Sequence, residues 1–172
     1  MMESKIKEVI NQNTLDSIYL KGFIDTEDDG VAQFYPDLHY IYFEFDNHLI
    51  EFKKFESYNK PSRLSIKIVD SIEYDIDLED VMPGRSEISE LIFKNPLEVN
   101  KVAKIYYFNL EEKKDVVLCD ALQIKLRNGQ DIFLDPGFLG INIGGLDVKQ
   151  IWEDNLFDNV PESVCIDYEI LI

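Results

Sequence analysis

Hydrophobic residues recur at every second position along most of this chain, and that period admits few folds. In Tyr40–Phe45, Ile41, Phe43 and Phe45 share one side. Leu64, Ile66 and Ile68 alternate with Ser65 and Lys67. Ile72, Tyr74, Ile76 and Leu78 alternate with Glu73, Asp75, Asp77 and Glu79. Side chains of a strand point alternately to its two faces, so these runs predict half-buried antiparallel strands.

The same reading extends along the chain. Ser17–Ile24 and Val31–Tyr35 flank an acidic turn at 25–30, and Asp46-Asn47-His48 turns the chain into Leu49–Phe55. Val102–Leu110 and Val116–Leu126 are further strands. The second is apolar on both faces, which predicts a central place. Asn128-Gly129 is the strongest hairpin signal and leads into Asp131–Leu134. Val164–Ile172 closes the series. Three short segments read as helices: residues 3–12, with Ile6, Val9 and Ile10 on one face; a turn or two begun near Ser86 and ended by Asn95-Pro96; and Asp147–Leu156. Met82-Pro83-Gly84 breaks the strand pattern and is the one plausible subdomain boundary. The expectation is an α+β fold, a mainly antiparallel β-sheet of about nine strands with two or three short helices. At 172 residues a single domain over 1–172 is expected.

Charge narrows the function. Against 17 Lys and Arg stand 34 Asp and Glu, a net charge of −17. With 45% hydrophobic and 12% aromatic residues, this is no disordered acidic tail. A phosphate backbone needs clustered Lys and Arg, so nucleic acid is excluded as a partner, and an anionic membrane surface is disfavoured likewise. The acids are not spread evenly. Residues 25–29 hold four, 70–80 hold six and 151–172 hold six, and none of these segments contains a base. Outside them the chain is nearly neutral.

Glu73, Asp75, Asp77 and Glu79 would project from one strand face at spacings of about 7 Å. A hairpin at Val69-Asp70-Ser71 would set Lys67 opposite Glu73 and Arg63 opposite Asp77, leaving Asp75 and Glu79 unpaired. Together with Asp25, Asp28 and Asp29 these acids are the candidate surface for a basic protein partner, because opposite charge speeds association and selects among partners.

Other motifs point to no chemistry. Asp25-x-Glu27-x-Asp29-Gly30 resembles the start of an EF-hand loop, but Pro36 stands where the bidentate Glu belongs. His39 and His48 sit at opposite ends of one hairpin arm, too far apart to share a metal. Asp120 with Gln123-x-Lys125 has the residue types of a metal-dependent nuclease, but strand parity puts Asp120 on the other face. Gly140-x-x-x-Gly144-Gly145 lacks the strand–turn–helix setting of a dinucleotide site. No catalytic residue, metal or cofactor is expected. The N-terminus lacks the apolar region of a signal peptide, and no run approaches a membrane span. The expectation is a cytoplasmic chain, a monomer or small homo-oligomer, with Cys119 and Cys165 reduced.

Asn128-Gly129, Asp135-Pro136 with Phe138-x-Gly140-Ile141, and Trp152 before Asn155 resemble features of the immunity proteins of bacterial polymorphic-toxin systems. The resemblance covers about the last third of the chain. It implies tight inhibition of a cognate toxin, often a basic nuclease, by acids that cover its cationic surface. Two alternatives stand beside it. One is a small-molecule or carbohydrate-processing domain with a carboxylate site, lined by Tyr40, Tyr42, Tyr106, Tyr107 or Trp152. The other is a structural or regulatory subunit with an apolar face.

Overall fold

The computed structural model describes residues 1–26, 30–75, 81–156 and 159–168. The chain runs α1 (Met2–Gln12), β1 (Leu15–Thr26), β2 (Ala32–Pro36), β3 (Tyr40–Phe45), β4 (His48–Phe55), β5 (Arg63–Val69) and β6 (Val81–Glu87). After α2 (Ser89–Ile92) come β7 (Val102–Phe108), β8 (Glu111–Glu112), β9 (Val117–Cys119), β10 (Ala121–Leu126), β11 (Asp131–Pro136) and β12 (Ile141–Gly144). It ends with α3 (Leu146–Asp154) and β13 (Ser163–Asp167). The fold is α+β with two antiparallel sheets.

The first sheet has eight strands in the order β2-β1-β3-β4-β5-β9-β8, with β6 added to β1. The second has five, in the order β12-β11-β10-β7-β13. Their inner faces share one apolar core. Phe43, Phe45, Phe52, Leu64 and Ile66 come from the first sheet, and Ile105, Tyr107, Leu122, Ile124 and Leu134 from the second. Helix α1 adds Ile6, Val9 and Ile10, the face read from its periodicity. A smaller cluster lies on the other side of the five-stranded sheet. There Trp152 of α3 packs 4.9 Å from Phe108 and 5.5 Å from Phe133, centroid to centroid.

The thirteen strands among the described residues exceed the expected nine for identifiable reasons. Val116–Leu126, read as one central strand, changes sheet at Asp120. Its first part, β9, pairs with β5 and β8, and its second, β10, pairs with β7 and β11. That is why its apolar residues are buried on both faces. Such sheet-switching corners recur where two sheets pack together. Arg63 holds this corner: its Nε donates to Asp120 Oδ1 at 2.9 Å and its Nη1 to Glu111 Oε2 at 2.6 Å. The glycine-punctuated segment after Asp135-Pro136-Gly137 contains β12.

Met82-Pro83-Gly84 is not a boundary. It lies inside β6, which pairs with β1 from Tyr19↔Glu87 to Asp25↔Val81. β6 pairs with β1 alone among the described strands. An edge position accommodates a proline because one side of the strand needs no ladder donor. The expected strand over Ile72–Leu78 is likewise corrected. Residues 72–75 are not in a strand, and 76–80 lie outside the described residues. Nor does the proposed hairpin with 63–69 form. Over Leu64–Ile66, β5 is flanked by β4 and by β9. Lys67 accordingly sits 3.5 Å from Glu51, not opposite Glu73.

Both cysteines are free. Cys119 is buried, and burial pushes its thiol well above the ordinary range, whereas Cys165 is exposed on β13. A thiol reagent should therefore modify one cysteine quickly in the native protein and the second only on unfolding. Two fast thiols would show that the β9 corner is open in solution.

Candidate functional site: an acid-lined aromatic cavity on β1

The site begins with a close approach of two strands. A Cβ on Gly22 would lie 2.0 Å from the Tyr35 carbonyl oxygen. Only glycine lets β2 lie this tightly on β1. The register sets Phe23 opposite Tyr35, and their rings stack at 5.0 Å and 16°. Gly22→Ala should force the strands apart at a cost of about 1–3 kcal/mol. In a thermal melt each kcal/mol lost lowers Tm by roughly 2–4 °C for a chain of this size. An unchanged Tm would mean that β2 is not held to β1.

The next wall comes from Lys21. Its ammonium is buried and lies 3.5 Å from the centroid of the Tyr40 ring. It also donates to the Glu73 carbonyl at 2.8 Å. This bond pins the segment at 72–75 against β1, so Tyr74 and Asp75 join the wall without being in a strand. Tyr40 stacks on Tyr42 at 6.3 Å, nearly parallel. Tyr42 is fully buried and donates to Glu51 Oε2 at 2.9 Å, and burial with that carboxylate pushes its phenol far up. The Lys53 ammonium is held above its usual range by Tyr40, with Glu51 and Asp75 adding to it.

These residues enclose a cavity of about 310 Å³ whose lining includes Phe23, Tyr35, Tyr40, Tyr74, Asp37 and Asp75. Aromatic faces attract cations through their quadrupole, and carboxylates accept charge-assisted hydrogen bonds from them. Lys21 already covers Tyr40. Tyr35 and Tyr74, with Asp75, remain at the opening for a cationic group from outside.

Of the acids read from sequence, the structure places Asp75 in the cavity lining and Glu73 next to it, with Asp25 farther along β1. Asp25 lies in β1 opposite Val81, the residue that follows the second acidic segment. Glu73 is tied to β1 through Lys21, and Asp75 lines the cavity with Gly22 and Phe23. The described acids of the first two segments thus lie in or beside β1, Asp25 within it and Glu73 bonded to it through Lys21. Asp28, Asp29, Asp77 and Glu79 lie outside the described residues. The described acids of the third segment lie in or next to α3 and β13, and some of them are paired internally, while Asp158 and Glu169 lie outside the described residues. Asp167 sits 3.1 Å from Lys104, and Glu153 3.8 Å from Lys149.

The remaining motifs have structural roles. Gln123 bridges Asp131 and Lys149 at 2.8 and 2.9 Å, while Asp120 is held by Arg63. His39 bonds Asp37 at 3.1 Å. Among the described residues no group of three or more potential ligands could hold a metal, and no helix is long and apolar enough to cross a membrane.

Sequence reasoning missed one feature beside the cavity. Phe138 and Leu139 are 93% and 78% exposed, at the tip of the β11–β12 connection. Their loop is clamped. The buried Lys54 ammonium donates to the Phe138 carbonyl at 2.8 Å, and the Ile141 amide donates to the Leu38 carbonyl at 2.7 Å. A Cβ on Gly140 would lie 2.5 Å from Leu38 Cβ. Leu38 follows Asp37 of the cavity wall, so a rigid apolar tip stands next to the acidic opening. The turn residues Asp135-Pro136-Gly137 signal the loop, but nothing in the sequence says its apolar pair faces outward. Comparison with family models, with curated proteins and with solved structures returns no match.

Proposed function

We propose that this chain is a protein-binding domain that captures a basic partner at the acid-lined cavity on β1. In the finer reading it is an immunity protein that neutralises a basic toxin by covering its cationic active surface. The observation that carries this reading is the cavity beside β1, where Asp37 and Asp75 stand among the rings of Phe23, Tyr35, Tyr40 and Tyr74. Asp25 lies two residues beyond Phe23 on the same strand. A standard interface of about 800 Å² per partner is large enough to take in this cavity and a neighbouring anchor. Phe138 and Leu139 supply that anchor. Large apolar side chains on a loop held rigid before binding lose little entropy on docking.

The immunity reading is tested at the gene that neighbours this one. A large adjacent reading frame ending in a basic domain should yield a toxic domain that co-purifies with this chain and loses its activity in the complex. A basic neighbouring domain that stays active in molar excess of this chain contradicts the reading.

A further inference from the structure

A second cavity, of about 530 Å³, opens between the turn after β11, the end of α3 and the loop before β5. It shares Trp152, Leu156, Asn159 and Pro161 with a groove of about 560 Å³ that passes over Phe108. Sites for small molecules commonly fall between about 300 and 1,000 Å³.

The polar groups of this cavity divide into used and free. Asp120 is used: Arg63 Nε donates to one oxygen at 2.9 Å and Asn109 Nδ2 to the other at 2.6 Å. Asp135 is nearly free. Its side-chain partner among the described residues is Asn142 Nδ2, at a long 3.3 Å. Burial holds this carboxyl above the usual carboxylate range, with the Asn142 contact opposing. Asn155 and Asn159 bring exposed amides to the rim. Each amide offers two donors and an acceptor.

This lining selects a chemical class. Among the described residues it contains no Lys, Arg or His, so an anionic ligand would find no counter-charge. The one ion pair on the wall, Asp120 with Arg63, is already closed. Amides beside a carboxyl match vicinal hydroxyls, which both donate and accept. Leu156 and the proline rings give apolar surface for the C–H face of a sugar ring, next to Trp152, which is itself only 8% exposed. Trp152 is fixed by Phe108 and Phe133, so that surface is formed before any ligand arrives.

We propose that this cavity binds a neutral saccharide of one or two rings, held by Asp135, Asn155 and Asn159 against Leu156 and the proline rings beside Trp152. The cavity is distinct from the one on β1 and adjoins the proposed partner surface only at the β11–β12 connection, where Gly137 precedes Phe138 and Leu139. The test is chemical-shift mapping of the ¹⁵N-labelled chain with glucose, maltose and chitobiose as probes and spermidine as the cationic comparison. At least one sugar should shift the Trp152 indole N–H and the Gly137 amide with millimolar affinity. Asp135→Asn and Asn155→Ala should each weaken that binding about tenfold. Asn155→Ala alters an exposed side chain, so it keeps the test valid if the other variant misfolds. No shift with any sugar overturns the proposal, as do shifts that neither variant weakens. Shifts at these groups with spermidine alone overturn the ligand class.

Discussion

Replacing Asp25 and Asp75 together by lysine should weaken capture of a basic partner about 100-fold at low salt and leave the fold intact. A charge about 6 Å from a partner charge contributes roughly 0.7 kcal/mol in water, and reversal doubles the loss. Two reversals lose about 2.8 kcal/mol, which is two decades of affinity. Asp75 is exposed and Asp25 half-buried, so the aqueous figure is the appropriate one. Screening shrinks the effect at physiological salt, where the Debye length is about 8 Å. Neither side chain is in the apolar core, so circular dichroism and the thermal midpoint should stay close to those of the parent. Affinity within threefold of the parent would remove both residues from the interface.

Phe43→Ala should have the largest effect on stability. Phe43 is fully buried in β3, edge-on to Phe52 at 4.8 Å, and it pairs in register with Ile18 and Ile50. Removing a buried phenyl ring from such a core costs about 3–5 kcal/mol. Natural domains hold only about 5–15 kcal/mol in all, so the variant should lose a large share of its stability. Equilibrium urea unfolding should show a lower midpoint at an unchanged slope. A loss below 1 kcal/mol would mean that the two sheets do not close over this residue. β3 lies beside β1, so the same variant should also loosen the cavity wall.

Period-2 patterning made most of the sheets legible. Ile41, Phe43 and Phe45 face the core as their alternation requires, and Asn128-Gly129 closes the β10–β11 hairpin with Gly129 at φ 89°. Three things were not legible, each for a physical reason. The sheet switch at Asp120 depends on Arg63, a residue 57 positions away. β6 reads as a break because Pro83 and Gly84 are turn residues, yet an edge beside β1 tolerates both. Alternation at Ile72–Asp75 predicts a strand, but β5 is already flanked by β4 and β9 over Leu64–Ile66, which Tyr74 and Asp75 would have had to reach to continue the pairing.

The candidate site was legible as composition and not as geometry. Base-free acidic segments can be counted, and Asp25 and Asp75 were named from them. The place of Asp75 beside β1 depends on Lys21, a buried lysine whose bond to the Glu73 carbonyl has no local signature. Gly22 is equally silent, since its need for a missing side chain appears only when Tyr35 lies across it. The net charge of −17 therefore reduces to a nearly neutral body with three acidic segments, of which Asp25 lies in β1 and Glu73 and Asp75 lie beside it.

On the proposed function, basic groups are taken up at the β1 cavity and not by the acidic surface at large. Titration of the ¹⁵N-labelled chain with a lysine- and arginine-rich peptide tests it directly. The largest amide shifts should fall at Phe23, Tyr35, Tyr74 and Asp75, and Asp25→Lys with Asp75→Lys should abolish them. Shifts centred on Glu153, Asp154 and Asp167, or spread evenly over all three acidic segments, would contradict the account.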